Sequence, residues 1–162
     1  MRHSFYIIYE ILMELCKGGN LRSFIDKNMR DLTLIDENIL INIIGQICIV
    51  IKEIHDKNLI HRDLSPDNIF IDENMIIKIG DFGLSKQFDS YNSYAITPEK
   101  FGIDYYIAPE ILKKGIYSQK SDIWSLGCII HELLTLNIYY YDKSLNDIKK
   151  LILICIMING KN

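Results

Sequence analysis

The sequence predicts an α+β fold, mainly helical with one short β-hairpin, and three observations predict it. Segment 36–57 places Ile39, Ile43, Ile44, Ile47, Ile51 and Ile54 at three- and four-residue steps, the period of an amphipathic helix. Segment 118–135 is apolar almost all round, at Ile123, Trp124, Leu126, Ile129, Ile130, Leu133 and Leu134, the pattern of a helix buried on every side. Between them, Ile69-Phe70-Ile71 and Met75-Ile76-Ile77-Lys78-Ile79 are short apolar runs separated by the turn-like Asp72-Glu73-Asn74. Isoleucine is used heavily, whereas alanine occurs only at Ala95 and Ala108 and valine only at Val50, so β-branching is a poor strand signal here. Spacing decides instead.

The elements follow in order. Tyr6 to Leu15 reads as an extended, largely buried strand, ended by Gly18-Gly19. Asn20 to Lys27 reads as a short helix. Asp36 is placed to cap the helix of segment 36–57, and Lys57-Asn58 closes it before Leu59-Ile60. Ser118 caps the second long helix, whose first turn holds Asp122, a charge suited to a helix N-terminus. Asn146 to Ile158 reads as a third helix, with Asp147, Lys149 and Lys150 on a solvated face.

Bulk properties narrow the classes. At 162 residues, 49% hydrophobic and 24% charged, the chain suits one domain with a sizeable core and is neither disordered nor collagen-like in composition. A net charge of -3 gives no basic field, so nucleic acid and anionic membrane surfaces are not expected partners. Leu151 to Ile158 falls far short of the ~20 residues that cross a bilayer, and Glu10 and Glu14 interrupt the apolar run that begins at Phe5. Cys16, Cys48, Cys128 and Cys155 are far apart, without a C-x-x-C pair. Structural thiols in a cytoplasmic or nuclear protein are expected.

The chemistry is concentrated in His61-Arg62-Asp63-Leu64-Ser65-Pro66-Asp67-Asn68 and, thirteen residues on, Asp81-Phe82-Gly83. A hairpin with legs of similar length, at ~3.3 Å per residue, brings Asn68 and Asp81 to the same end. An amide oxygen and a carboxylate are hard ligands of the kind that Mg²⁺ accepts alongside phosphate oxygens and water. Asp63 then faces an incoming hydroxyl as the candidate base, a disposition suited to phosphoryl transfer from a nucleotide.

These blocks resemble the protein kinase family, with others in the same order. Ala108-Pro109-Glu110 looks like the end of a kinase activation segment. Asp122-Ile123-Trp124-Ser125-Leu126-Gly127 looks like the start of the family's central buried helix, and Met13-Glu14-Leu15-Cys16-Lys17-Gly18-Gly19-Asn20-Leu21 resembles the hinge between the two lobes. The resemblance implies a mainly helical large lobe over residues 21–162, truncated at its C-terminal end, and the last strands of a small lobe plus the hinge over 1–20. No glycine-rich loop or strand lysine precedes, so most of the small lobe is expected to be absent.

The resemblance also implies roles. Asp63 is the base, Asn68 and Asp81 hold magnesium, and Arg62 anchors the activation segment through an anion. The Glu14 carbonyl and the Cys16 amide would bond the adenine edge of ATP, with Leu21 and Phe70 beneath the ring, Asn20 at the ribose and Met13 at the back. His61 and Phe82 are packing residues, and Asp122 accepts hydrogen bonds from the loop backbone. The implied partners are ATP, Mg²⁺ and a protein substrate with serine or threonine hydroxyls, a preference that rests on Gly102 and Tyr106-Ile107-Ala108-Pro109-Glu110.

Departures from the family matter too. Ser65 stands where serine/threonine kinases carry a lysine that contacts the transferring phosphate, and Asp67 where tyrosine kinases carry an arginine. Ile103 replaces the threonine that bonds that lysine. Losing one such donor costs ~3 kcal/mol in the transition state, so slowed chemistry is expected. The slot of the activating phosphorylated residue falls on Glu99, a carboxylate that could pair with Arg62, and Ser90, Tyr91, Ser93, Tyr94 and Thr97 are nearby hydroxyls. Glu110 is expected to lack its arginine partner. The isolated 162-residue polypeptide is expected to bind ATP poorly and transfer little phosphate, and the competing reading is a pseudokinase or interaction module without catalysis.

Overall fold

In a computed structural model of the chain, residues 12–88, 94–97, 101–102 and 104–137 are described. Two helices come first, α1 (Leu21–Arg30) and α2 (Glu37–Asp56). Each begins where a side chain satisfies orphan amides. Asn20 Oδ1 accepts from the Ser23 amide at 3.0 Å, and Asp36 Oδ1 accepts from the Asn38 and Ile39 amides at 2.9 and 3.4 Å. The expected stripe of α2 is found one step further in, because Ile43, Ile47, Cys48, Ile51 and Ile54 are buried while Ile39, in the first turn, is exposed. By length and composition α2 is long and apolar enough to cross a membrane, and its Ile43, Ile47, Ile51 and Ile54 pack into the main core cluster.

Next come β1 (Leu59–Ile60), β2 (Ile69–Ile71), β3 (Ile77–Ile79), β4 (Lys86–Gln87) and β5 (Tyr94–Ile96), then α3 (Pro109–Lys114), β6 (Ile116–Ser118) and α4 (Gln119–Thr135). The hairpin is β2 against β3, antiparallel, with Ile69 opposite Ile79 and Ile71 opposite Ile77. Its turn is built by Asp72, whose Oδ1 accepts from the Asn74 and Ile76 amides at 2.7 and 2.9 Å, which starts β3 two residues later than the apolar run. Two further antiparallel pairings, β1 with β4 and β5 with β6, join segments that the local pattern leaves unassigned.

A main core cluster gathers α1, α2, the hairpin and α4, whereas a smaller one gathers Ala95, Ile107, Ala108, Ile111 and Tyr117. Trp124 packs against both. Helix α4 is buried on every side from Leu126 to Leu133, whereas Leu134 is exposed, and its start is a capping box between Ser118 and Ser121.

The expected buried strand through Leu15 is corrected in its described part. Residues 12–15 form no regular element, and Leu12, Met13 and Leu15 are exposed, because no described strand lies beside them to pair their backbone or cover their side chains. The third helix, at 146–158, lies outside the described residues, as do Glu99, Ile103 and Cys155. Glu110 accepts from the Ser121 hydroxyl at 3.3 Å.

Candidate active site

Loop 61–68 hangs from α4 by one carboxylate. Asp122, 2% exposed, accepts from the His61 amide at 2.9 Å and the Arg62 amide at 3.1 Å, and its Oδ2 lies 2.8 Å from His55 Nε2. A buried carboxylate is retained only when partners replace its water, and two backbone amides plus a ring nitrogen do so. The expected role of Asp122 is thus observed. Arg62 sits in the left-handed region at φ 69°, so the chain turns sharply between these anchored amides and Asp63.

Past the turn, the Asn68 side chain closes on Asp63. Its Nδ2 donates to the Asp63 carbonyl at 2.8 Å and to Asp63 Oδ2 at 2.9 Å, and its amide oxygen is uncommitted among the described residues. The hairpin then returns the chain as its register requires, and the Gly80 amide donates to the Asn68 carbonyl at 3.0 Å. Asp81 follows in the left-handed region, φ 58° and ψ 67°, with Oδ1 accepting from the Gly83 amide at 3.3 Å. Strained backbone of this kind concentrates at functional sites, and asparagine and aspartate tolerate it best after glycine.

Both Asn68 and Asp81 line one cleft of about 800 Å³, together with Met13, Glu14, Cys16, Gly19, Asn20, Phe70, Lys78 and Gly80. The cleft has room for a nucleotide. The donors are hard oxygens, one amide oxygen freed by its own Nδ2 contacts and one exposed carboxylate, and that chemistry fits Mg²⁺. Among the described residues no group of three or more His, Cys, Asp or Glu could hold a metal ion.

The hinge-like segment rests on the hairpin. The Ile71 amide donates to the Gly19 carbonyl at 2.9 Å, and a Cβ at Gly18 would fall 2.6 Å from the Ile71 carbonyl oxygen, an approach that only glycine permits. Lys17 pairs with Glu73 at 2.7 Å, and Lys78 pairs with Glu14, which raises the lysine pKa through that hydrogen bond. Among the described residues neither the Glu14 carbonyl nor the Cys16 amide is spent on a hydrogen bond. Phe70 lies across Gly80, where a Cβ would meet its ring at 2.9 Å. Leu21 is fully buried in the main cluster rather than lining the cleft, since it is the first core residue of α1.

His61 is wholly buried, with its ring 5.0 Å from that of Phe82 and Nε2 2.9 Å from the Gly80 carbonyl, a packing role as expected. Arg62 is engaged. Its Nε donates to the Leu84 carbonyl, and its guanidinium lies 4.9 Å from the Phe101 ring centroid and 5.6 Å from that of Tyr117. Two aromatic faces and a carbonyl therefore hold the charge. Ser65 is fully buried, its hydroxyl has no partner among the described residues, and it does not line the cleft.

One cluster escaped the sequence reading. Arg22 on α1 binds Glu132 of α4 through two nitrogens, at 2.5 and 3.1 Å, and donates to the Tyr106 hydroxyl at 2.6 Å, which itself donates to Glu132 at 2.6 Å. Burial works against the charged form of Arg22, but the hydrogen bond to Glu132 and the nearby charges prevail and hold its pKa above the usual value. Burial first, then the same carboxylate, push the Tyr106 phenol up. The available signal was Glu132 itself, a charge on a helix apolar all round, which demands a partner.

Comparison with known proteins now bears on this site. A family model described as the protein kinase domain matches residues 3–161. The chain is 39% identical over 131 residues to human "Serine/threonine-protein kinase Nek2", covering 78% of this chain and 29% of that protein. It is 41% identical over 130 residues to "Probable serine/threonine-protein kinase nek2" of Dictyostelium discoideum, covering 78% and 30%. It is also 41% identical over 128 residues to "Serine/threonine-protein kinase Nek8" of Danio rerio, covering 78% and 18%. The chain belongs to the protein kinase domain family. It spans less than a third of the length of these curated relatives. Asn68 and Asp81 line the cleft, and Asp63 is joined to it through its hydrogen bond with Asn68.

Proposed function

We propose that this chain carries the phosphoryl-transfer site of a protein serine/threonine kinase. One observation carries the reading: Asn68, whose amide nitrogen is committed to Asp63, lines the same cleft as Asp81. Asn68 and Asp81 would hold Mg²⁺, which when bound neutralises charge on the phosphates of ATP.

Asp63 is half-buried and positioned by Asn68, and it would orient a serine or threonine hydroxyl of a protein substrate and take its proton. The hydroxyl oxygen then forms the new bond to the γ-phosphorus, the bond to the β–γ bridging oxygen breaks, and ADP leaves. The hinge carbonyl of Glu14 and amide of Cys16, uncommitted among the described residues, would take the adenine edge, with Phe70 as the platform. Asn20 already caps α1 and bonds the Asp67 carbonyl at 3.2 Å, so it would reach the ribose only by sharing these contacts. Residues 1–20 as hinge and small-lobe end, and 21–162 as large lobe, complete the reading, with a cytoplasmic or nuclear location.

The test is phosphate transfer from ATP to serine- and threonine-containing peptides. Asp63→Asn is expected to lower kcat by about 100-fold to 10,000-fold with ADP binding retained. Asp81→Asn is expected to abolish the magnesium dependence of ADP binding. Unchanged kcat in the first variant, or unchanged metal dependence in the second, would overturn the proposal. A non-catalytic role is the second reading, favoured by the absence of a cationic side chain at position 65, and wild-type protein that binds Mg·ADP without turnover would select it.

A further inference from the structure

We propose that Arg22 is a positioning residue for the metal-binding end of loop 61–68, an inference that rests on the phosphoryl-transfer reading above. Asp67 lies in the short helical turn Pro66–Asn68, immediately before Asn68. One turn of α1 holds it twice: Asn20 Nδ2 donates to its carbonyl at 3.2 Å, and Arg22 Nε lies 3.9 Å from its carboxylate. Asn68 in turn bonds both the carbonyl and the carboxylate of Asp63. Residue 67 is therefore the point through which α1 sets the position of Asn68 and Asp63.

Arg22 can serve as the fixed end because its own place is over-determined. Its side chain is 21% exposed, clamped on the 2%-exposed Glu132 by two nitrogens and on the Tyr106 hydroxyl by one of the same nitrogens. Asp26 adds a weaker contact at 3.5 Å. A planar fork addresses Glu132 and Tyr106 with its terminal nitrogens while Nε remains turned to Asp67, which a lysine, a single point charge, does not reproduce. The competing account is that Arg22 only neutralises Glu132. The two accounts differ in what they demand of Asp67, whose side chain is 46% exposed and lies outside the hydrogen bonds that join Arg22, Glu132 and Tyr106.

The experiment uses Mn²⁺ with ADP as the probe, reading bound Mn²⁺ by electron paramagnetic resonance, together with Tm. Arg22→Met alone is expected to lose both Tm and Mn·ADP affinity. The double variant Arg22→Met with Glu132→Gln removes both buried charges and is expected to recover Tm, because losing the pair together is far milder than losing one partner. If Arg22 positions the loop, the recovered double variant still binds Mn·ADP about tenfold or more weakly, the size seen when groups that orient metal ligands are removed. Asp67→Asn leaves the buried pair intact and is expected to show the same loss at wild-type Tm, so it decides even if the double variant fails to fold. Wild-type affinity in Asp67→Asn, or in a refolded double variant, would reduce Arg22 to a structural counter-charge. Wild-type protein whose Mn·ADP binding is indifferent to Asp81→Asn would instead remove the phosphoryl-transfer reading, and this inference with it.

Discussion

The Ser65 hydroxyl is buried without a partner among the described residues, in a loop where Asp63, Asn68, His61 and Arg62 are all hydrogen-bonded. An unsatisfied buried hydroxyl carries a desolvation cost of about 1–3 kcal/mol. Ser65→Ala is accordingly expected to stabilise the fold by about 1 kcal/mol, read as a rise in the urea midpoint at constant m-value; a loss of stability would show that the hydroxyl has a partner in solution. The sequence comparison treats position 65 as a cation missing from the cleft, whereas the structure turns this side chain inward. Restoring a lysine would thus require the loop itself to move, which is a steric consequence and not a matter of charge alone. The same scale explains why Gly18 is glycine: a backbone carbonyl occupies the space of its missing side chain.

Among the elements, α4 does the most to assemble the site, because it carries Asp122 at one end and Glu132 ten residues on, each binding a different segment. Asp122→Ala would strand the His61 and Arg62 amides and the His55 ring. We expect a loss of about 3 kcal/mol or more, with amide hydrogen exchange accelerating first at residues 61 and 62; protection unchanged there would show that the loop is held by other means. Both long helices and the hairpin were legible because their periods are local and survive a skewed composition. The pairings of β1 with β4 and of β5 with β6 were not, since two- and three-residue strands carry no period and their partners lie twenty or more residues away. Within the candidate site, Asp63, Asn68, Asp81 and Asp122 were legible from motif spacing. The Arg22 cluster was not, because Arg22 and Glu132 are 110 positions apart and only the misfit of a charge on an apolar helix pointed to it.

For the molecule as a whole, the division into two core clusters has a practical consequence. The larger one holds the helices and hairpin, the smaller one the segment around β5, β6 and α3, and the sole tryptophan, Trp124, touches both with a shielded indole nitrogen that has no partner among the described residues. Its fluorescence is therefore a native gauge of whether the smaller cluster is seated. Phe101→Ala, which removes a ring packed on that cluster and under Arg62, is expected to shift the emission to longer wavelength while far-ultraviolet circular dichroism is retained. An unshifted spectrum would mean that the two clusters part only when the entire domain unfolds. Any ligand or covalent change that tightens or loosens that seam could then be followed optically, in real time and without a label.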